Sequence, residues 1–183
     1  MRLSLLPVSA LGAVLALSSP ASAAWQGYIS HTLGFAFAAP GDLKPGKTTY
    51  KGAVAGTRDA MTWTSTDDGI EYKAVVVDAT PVANQSATVL GEAEYIFQDG
   101  HKVMMDTFGR VDRHYGRKLT IDFPDGGRKI ACFYFINGRI VSLQATVPAG
   151  GDKDNPELAR FVDSITFYPE RAADDDKELV LPK

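Results

Sequence analysis

The 183-residue sequence contains very little cysteine and histidine, with one residue of the first kind and three of the second. A single thiol cannot form an internal disulfide bridge. Cys132 lies within the apolar run of residues 130–136 and has no imidazole near it in the sequence. A reactive thiol needs such an electropositive neighbour. We therefore expect Cys132 to be buried and to behave as a small apolar side chain.

The histidines His31, His101 and His114 are too widely spaced to indicate a metal site, since metal ligands converge and often share one element. Neighbouring strands could bring together only His101 and His114, beside Asp106 or Asp112. The acidic segment 152–157 lacks the ligand spacing of an EF-hand, and acidic residues before a helix also stabilise its dipole. We expect surface positions for the histidines, no bound metal and no cofactor.

Familiar catalytic motifs are also absent. No Gly-x-Ser-x-Gly sequence is present, and the Gly-Gly pairs at 126–127 and 150–151 lack the strand–loop–helix context of a phosphate-binding loop. Ser164 is expected to cap a helix end or to face the core. The sequence therefore predicts no catalytic residues, and a hydrolase is the least favoured of three hypotheses about function.

The charge excludes two classes of partner. The net charge is −3 at pH 7, whereas proteins that bind nucleic acid or anionic membranes present a strongly basic surface. The basic residues are scattered apart from one short group, which we expect to face solvent. That group is Arg110, Arg113, Arg117 and Lys118.

One long apolar segment is present, and it lies at the N-terminus. Arg2 is followed by an apolar run from Leu3 to Leu17 and then by the small residues Ala21-Ser22-Ala23. This order is typical of a secretory signal peptide, residues 1–23, cleaved after Ala23. No cysteine follows for lipid attachment, and no later run approaches the roughly 18 apolar residues of a membrane helix. We expect a soluble protein in the periplasm of a Gram-negative bacterium.

Alternating apolar residues predict mostly strands. The turn sequences Asp68-Gly69 and Asn137-Gly138 indicate two hairpins, 60–65 with 70–78 and 128–136 with 139–147. Val141, Leu143, Ala145 and Val147 should share one face of the last strand. Further strands are predicted at 25–30, 35–38, 47–54, 109–115, 118–123 and 166–168. The six aromatic residues Trp25, Trp63, Tyr72, Tyr95, Phe133 and Phe135 are expected in the core.

Two amphipathic helices are predicted, at 87–98 and 156–165. Residues 84–86 offer N-caps for the first, and Asn155 with Pro156 fits the start of the second. Strands in runs, with single helices between them, predict an α+β fold in which helices flank an antiparallel sheet. We expect one domain, residues 24–170, and a polar, disordered tail, residues 171–183.

Three segments of the chain resemble a known family. They are an opening Trp25, Tyr28, Gly34-Phe35, Phe37 and Pro40, a central Asn-Gly-Arg-Ile-Val-Ser-Leu-x-Ala at 137–145, and a closing Arg-Phe-x-Asp-Ser-Ile-x-Phe at 160–167. In this order the chain resembles the PsbP-like α/β/α sandwich proteins, which include many exported bacterial members. The resemblance implies a sandwich fold and the work of an accessory subunit or binding module.

These observations favour a non-catalytic module that docks on another envelope protein. The alternative is a domain that binds a small apolar ligand or lipid in a cleft between sheet and helix. An exposed apolar surface would indicate the first function, and a concave, mostly apolar cavity the second.

Overall fold

The computed structural model describes residues 23–170 and Leu179. Residues 1–22 of the predicted signal peptide and all of the predicted tail except Leu179 lie outside the described residues. The elements follow one another as β1 (Trp25–Ser30), β2 (Phe35–Pro40), β3 (Lys44–Lys51), β4 (Thr57–Asp67), β5 (Ile70–Asp78), a 3-10 helix (Thr80–Gln85), α1 (Ser86–Gln98), β6 (Val103–Val111), β7 (His114–Asp122), β8 (Arg128–Ile136), β9 (Arg139–Val147), α2 (Pro156–Asp163) and β10 (Thr166–Phe167).

A seven-stranded antiparallel sheet forms the centre of the fold, with the strand order β3-β4-β5-β9-β8-β7-β6. The predicted turns close two of its hairpins. Asn137 and Gly138 both have positive φ, 49° and 76°, which suits the right-handed twist of the flanking strands. The structure confirms the predicted α+β class, an antiparallel sheet flanked by helices.

One face of this sheet, the α2 face, is covered by α2 and by a small second sheet of order β1-β2-β10. Its core is aromatic. The Tyr72 ring centroid lies 5.2 Å from that of Phe161 on α2, and Phe37 on β2 approaches Phe161 at 6.0 Å. The predicted alternation of β9 is confirmed, because its four apolar residues Val141, Leu143, Ala145 and Val147 all lie in this core.

Helix α2 begins as its sequence indicates and ends at Asp163, two residues before the predicted end. The Asn155 side chain accepts a hydrogen bond from the Glu157 N–H at 2.9 Å, which is the predicted N-cap. Ser164 ends the helix: its hydroxyl donates to the Phe161 carbonyl oxygen at 2.7 Å and accepts from the Ala38 N–H at 3.0 Å. This side chain therefore ties the helix end to β2.

The opposite face of the seven-stranded sheet, the α1 face, is partly covered by α1. Val89, Ala93 and Phe97 point from the helix to the sheet, and the Phe97 ring lies 5.3 Å from that of Phe133. Tyr95 lies on the opposite side of the helix, so the expectation that it packs in the core is wrong. Neither helix in the described part of the chain has the length and apolar character needed to cross a membrane.

Three local predictions are corrected by the structure. Residues 109–115 are not one strand, because Asp112 and Arg113 form a turn between β6 and β7. Asp112 adopts a positive φ of 51° without a glycine, so the usual turn signal is missing. The first strand of this hairpin also begins earlier, at Val103. No side chain of residues 84–86 caps α1, since a 3-10 helix runs directly into it.

Leu179 lies close to the start of the domain. It is buried in the core of the α2 face, and its N–H donates to the Ile29 carbonyl oxygen on β1 at 2.6 Å. This residue belongs to the segment 171–183 that the sequence predicts as a polar tail. The chain therefore returns to β1 after β10.

Candidate functional site

The structure does not bring the histidines together. His101 precedes β6 and His114 begins β7, so the two imidazoles lie at opposite ends of the β6–β7 hairpin. Each packs on its own phenylalanine: His101 lies 5.0 Å from Phe123, and His114 lies 5.1 Å from Phe167. His31 is buried in the turn after β1, so the expectation of a surface position is wrong for this histidine. The candidate pair His101 and His114 therefore does not form a site.

The acidic segment before α2 is engaged in ordinary protein contacts. Asp152 accepts the Asp154 N–H at 3.0 Å, which shapes the turn. Asp154 and Asp122 both pair with Arg128, at 3.0 and 2.6 Å. The hydrogen bond from Arg128 lowers the pKa of Asp122. Within residues 23–170 and 179, no three potential metal ligands converge.

Cys132 is not positioned as a nucleophile. Its side chain is buried on the α2 face, and desolvation raises the pKa of the thiol to about 12. A thiol in such surroundings stays protonated at neutral pH. Because the nucleophilic form is the thiolate, this thiol is unreactive. The structure thus agrees with the small apolar role expected for this residue.

The short basic group is divided by the strands that carry it. Lys118 points to the α2 face and pairs with Asp163 at 2.6 Å. Arg117 points to the α1 face, where it pairs with Asp106 and lies 3.7 Å from Glu94. Burial raises the pKa of Glu94. Two of the four cations therefore have carboxylate partners, beyond the solvation that the sequence suggests.

The most exposed large apolar side chains of the sheet gather on the β6–β7 hairpin. Phe108 is 81% exposed and Tyr115 is 67% exposed. Each carries a guanidinium over its ring: Arg117 lies 4.6 Å from the Phe108 centroid, and Arg110 lies 5.6 Å from that of Tyr115. We call these four residues on the α1 face the hairpin surface. Aromatic residues and arginine are the types most enriched where protein interfaces derive their affinity.

An apolar groove adjoins the hairpin surface at Tyr115. Its volume is about 360 Å³, and it runs between the first turns of α1 and strands β7 and β8. Five of its six lining residues carry mainly apolar side chains, and the sixth is Ser86. The five are Ala83, Ala87, Leu90, Tyr115 and Phe135.

The two edge strands of the large sheet differ in composition. The edge strand β3 carries Pro45 and three lysines, which are the residue types that protect sheet edges from further pairing. The edge strand β6 instead carries Met104, Met105 and Phe108, all exposed. In the described part of the chain, no strand pairs with the outer side of β6. Both edges are unpaired within the described residues, but only the β6 edge lacks the proline and lysines that protect β3.

A second concave feature, the α1 cleft, lies between α1 and the sheet near its centre. It has a volume of about 250 Å³ and apolar walls that include Val75, Ile96 and Phe97. Its polar lining consists of Tyr50, Asp99, Lys129, Ser142 and Gln144. Ser142 and Gln144 lie on β9, where the Gln144 amide donates to the Ser142 hydroxyl at 3.0 Å. Lys129 is the cation of the cleft.

Lys129 is held by aromatic rings. Its ammonium nitrogen lies 4.5 Å from the Phe97 centroid and 5.5 Å from that of Phe123. No carboxylate of the described residues lies within ion-pair distance of it. Burial lowers the pKa of Lys129, an effect that the more distant Asp99 opposes. This half-buried ammonium has no carboxylate within 4.0 Å in the part of the chain that the structure describes and is therefore available to an anion, although Asp99 also lines the cleft.

In the comparisons with known proteins, the matches lie among solved structures. No family model matches the chain, and no curated protein matches it by sequence. The solution structure of cyanobacterial PsbP (CyanoP) from Synechocystis sp. PCC 6803 is similar to this chain, with 14% sequence identity and a TM-score of 0.49. The match covers 86% of this chain and 99% of that one. Cyanobacterial PsbP is a member of the group that the sequence motifs of this chain resemble.

Proposed function

We propose that this protein is an exported, non-catalytic binding module that docks on another protein of the cell envelope through the hairpin surface. The observation that carries the proposal is the pair of exposed rings, Phe108 and Tyr115, each stacked with an arginine. Export to the periplasm is supported by the signal-peptide sequence of residues 1–23.

The hairpin surface has the physical properties of a docking site. Arg117 is fixed by Asp106 and Glu94, so the Phe108 ring has a rigid neighbour. Ordered side chains lose little conformational entropy when a partner covers them. The groove beside Tyr115 can accept an apolar side chain of the partner, which would add burial to the aromatic contacts.

The rim of this surface indicates the charge of the partner. Arg110 and Arg113 form no ion pair with the described carboxylates. Complementary charge at an interface rim raises the association rate and makes binding sensitive to salt. We therefore expect a partner that places an apolar side chain in the groove and carboxylates near the two arginines.

The test is capture by the full-length chain, tagged after Lys183 and purified from envelope fractions under mild crosslinking. Tyr115→Ala should abolish recovery of one stoichiometric protein. The matched control is Tyr168→Ala, since Tyr168 is an exposed tyrosine outside the hairpin surface. Recovery that is unchanged by Tyr115→Ala, or no recovery by the unaltered chain, would overturn the proposal. N-terminal sequencing of the same material tests export, and Ala24 should be the first residue.

The α1 cleft supports a second candidate function, binding of a small organic anion. The carboxylate of such a ligand would pair with Lys129, its apolar body would contact Phe97 and Ile96, and Ser142 would offer a hydroxyl. The cleft is smaller than the ~300–1,000 Å³ of typical ligand pockets, so it suits a compact molecule better than a lipid chain.

Calorimetric titration with benzoate and with unbranched carboxylates of increasing length tests this candidate. Binding by the unaltered chain should disappear in Lys129→Met. The matched control is Lys153→Met, because Lys153 lies outside the α1 cleft in the loop before α2. Absence of binding, or equal binding by Lys129→Met, would rule out the cleft as an anion site.

A further inference from the structure

The free edge of β6 presents regularly spaced backbone groups. The turn Asp112–Arg113 closes on the pair Val111 and His114, which must exchange hydrogen bonds across so short a connection. Hydrogen-bonded and non-bonded pairs then alternate along the hairpin. The N–H and C=O groups of Arg110, Phe108 and Asp106 therefore point away from β7, toward the open edge.

The side chains of the same three residues share one face. Phe108 is paired with Arg117, Asp106 with Leu119 and Arg110 with Tyr115, and side chains directly opposite one another lie on the same side of a sheet. All three therefore lie on the α1 face. Along the edge the order is an acid, an aromatic ring and a base, with the ring at the centre.

This order is complementary to itself. If a second copy of the chain pairs antiparallel with β6 about a two-fold axis at Phe108, the two Phe108 rings lie opposite each other. Asp106 of each copy then lies opposite Arg110 of the other, on both sides of the axis. Cross-strand pairs of aromatic rings and of opposite charges each stabilise an antiparallel ladder.

Other registers that use the same outward groups are less favourable. Axes at Thr107 or Gly109 would leave Asp106 with no base opposite it, and two further registers are disfavoured by charge repulsion. An axis at Asp106 would place two carboxylates directly opposite each other. An axis at Arg110 would place two guanidinium groups directly opposite each other. Like charges in these positions are destabilising. The axis at Phe108 is the register in which the exposed ring and both charges find favourable partners.

We propose that two copies of this protein pair through β6 in this register and form one continuous fourteen-stranded sheet from two seven-stranded ones. The lysines and Pro45 of β3 prevent the other edge from pairing, so association stops at a closed two-fold dimer. The high exposure of Phe108 leaves room for the second strand. This dimer forms without an envelope partner, shares Phe108 and Arg110 with the hairpin surface, and presents two copies of Tyr115 on the same side.

Analytical ultracentrifugation of the purified full chain, alone in solution, tests the dimer and its register. The unaltered protein should dimerise with increasing concentration. Asp106→Arg and Arg110→Asp should each weaken the dimer at least tenfold, because each creates two like-charge pairs. The double variant Asp106→Arg/Arg110→Asp should restore dimerisation, although Arg117 lacks its usual partner in it. A monomer at every concentration, or no restoration by the double variant, would overturn the proposal.

A disulfide test reports the register directly. Opposed residues of a hydrogen-bonded antiparallel pair have Cα atoms about 5.5 Å apart, which is within disulfide range. Phe108→Cys should therefore form a covalent dimer under mild oxidation, whereas Cys132 is buried and should not react. Thr107→Cys is the control, because residue 107 faces the other side of the sheet and lies opposite residue 109 of the second copy. This variant should therefore run as a monomer on a gel without reducing agent. Equal crosslinking of the two variants would refute the register.

Because these experiments use the purified chain alone, their failure would leave the proposed envelope partner untouched. Failure of the capture experiment would likewise leave the dimer standing. If the segment 171–183 covered β6 instead, the chain would be monomeric and Phe108→Cys would react slowly with thiol reagents, which would also overturn the dimer.

Discussion

The guanidinium of Arg117 lies 4.6 Å from the centroid of the exposed Phe108 ring. Two carboxylates, Asp106 and Glu94, hold this guanidinium from β6 and from α1. An exposed cation–π contact contributes only about 0.5–1 kcal/mol, so its main effect is on geometry. The ring stands at a defined angle above an open sheet edge, which is the arrangement on which both proposed interfaces depend.

Glu92 should anchor the loop between β3 and β4 to helix α1. Its carboxylate accepts the Val54 N–H at 2.5 Å, the Ala55 N–H at 3.1 Å and the Tyr50 hydroxyl at 3.2 Å. Glu92→Gln removes acceptor capacity on one side, and hydrogen bonds to charged groups contribute about 1.5–3 kcal/mol. We expect the free energy of unfolding, measured in urea at neutral pH, to fall by about that amount. Glu71→Gln, at an exposed site, should change the free energy of unfolding little and serves as the control.

The contribution of Glu92 should also depend on pH. Burial by itself raises the pKa of Glu92, but the three hydrogen bonds lower it below its ordinary value near 4.5. A group with a lowered folded-state pKa stabilises fully above its unfolded pKa and loses this effect as the pH falls through the folded value. The stability difference between the unaltered protein and Glu92→Gln should therefore shrink below about pH 4.5. A difference that stays constant into acid would contradict this assignment.

Two glycines should respond in opposite ways to alanine. Gly91 lies inside α1 with open space around it, so Gly91→Ala should raise the free energy of unfolding by about 0.5–1 kcal/mol. A Cβ atom at Gly116 would overlap the Phe133 carbonyl oxygen and lie 2.5 Å from Tyr134 Cδ1. Since a backbone atom cannot move cheaply, Gly116→Ala should cost about 1–3 kcal/mol. Thermal melts of the two variants measure the two effects. Equal melting temperatures would contradict the close contact of Gly116 with β8.

The N-cap of α2 should be replaceable by another short polar side chain. Asn155→Ala removes the acceptor of the Glu157 N–H, and such changes cost about 0.5–2 kcal/mol. Asn155→Ser keeps an acceptor at the same place and should retain most of the stability. The two free energies of unfolding, measured in the same denaturant, should differ by about 1 kcal/mol. If serine is as damaging as alanine, the side-chain bond is not what stabilises the helix start.

The single thiol should report on global unfolding. Burial raises the pKa of Cys132 to about 12, so little thiolate is present and reagent has no access at neutral pH. A colorimetric thiol reagent at pH 8 should therefore react only at the rate at which the native state opens. Rapid reaction of the native protein would show that the strand pair β8–β9 opens locally. Denaturant should make one thiol per chain reactive at once.

Local sequence signals predicted most of the fold because they act within a few residues. Asn137 and Gly138 accept positive φ at little cost, so the hairpin β8–β9 and its register could be read directly. The turn at Asp112 was missed because Arg113 follows it, where the two predicted hairpins have a glycine after their Asp or Asn. Likewise, α1 starts without a side-chain cap, so no residue signals its beginning.

The candidate sites were largely invisible in the sequence, because exposure depends on what lies opposite a strand. Phe108 alternates like any core residue, and only the absence of a further strand on the outer side of β6 within residues 23–170 and 179 makes it a surface residue. Lys129 reads as a solvated lysine of a strand. Its aromatic surroundings come from α1 and from Phe123, which are assembled by the tertiary fold.

The position of β2 between β1 and β10 has a consequence for how the chain can fold. The first and the last strand border the same central strand, so the small sheet cannot be complete before residue 167 is available. Such pairings between the chain ends have a high contact order and form late. During synthesis, the α2 face of the large sheet would therefore stay uncovered on this side until β10 has been made. The stable state of the domain thus requires residues 25–167 to be available together.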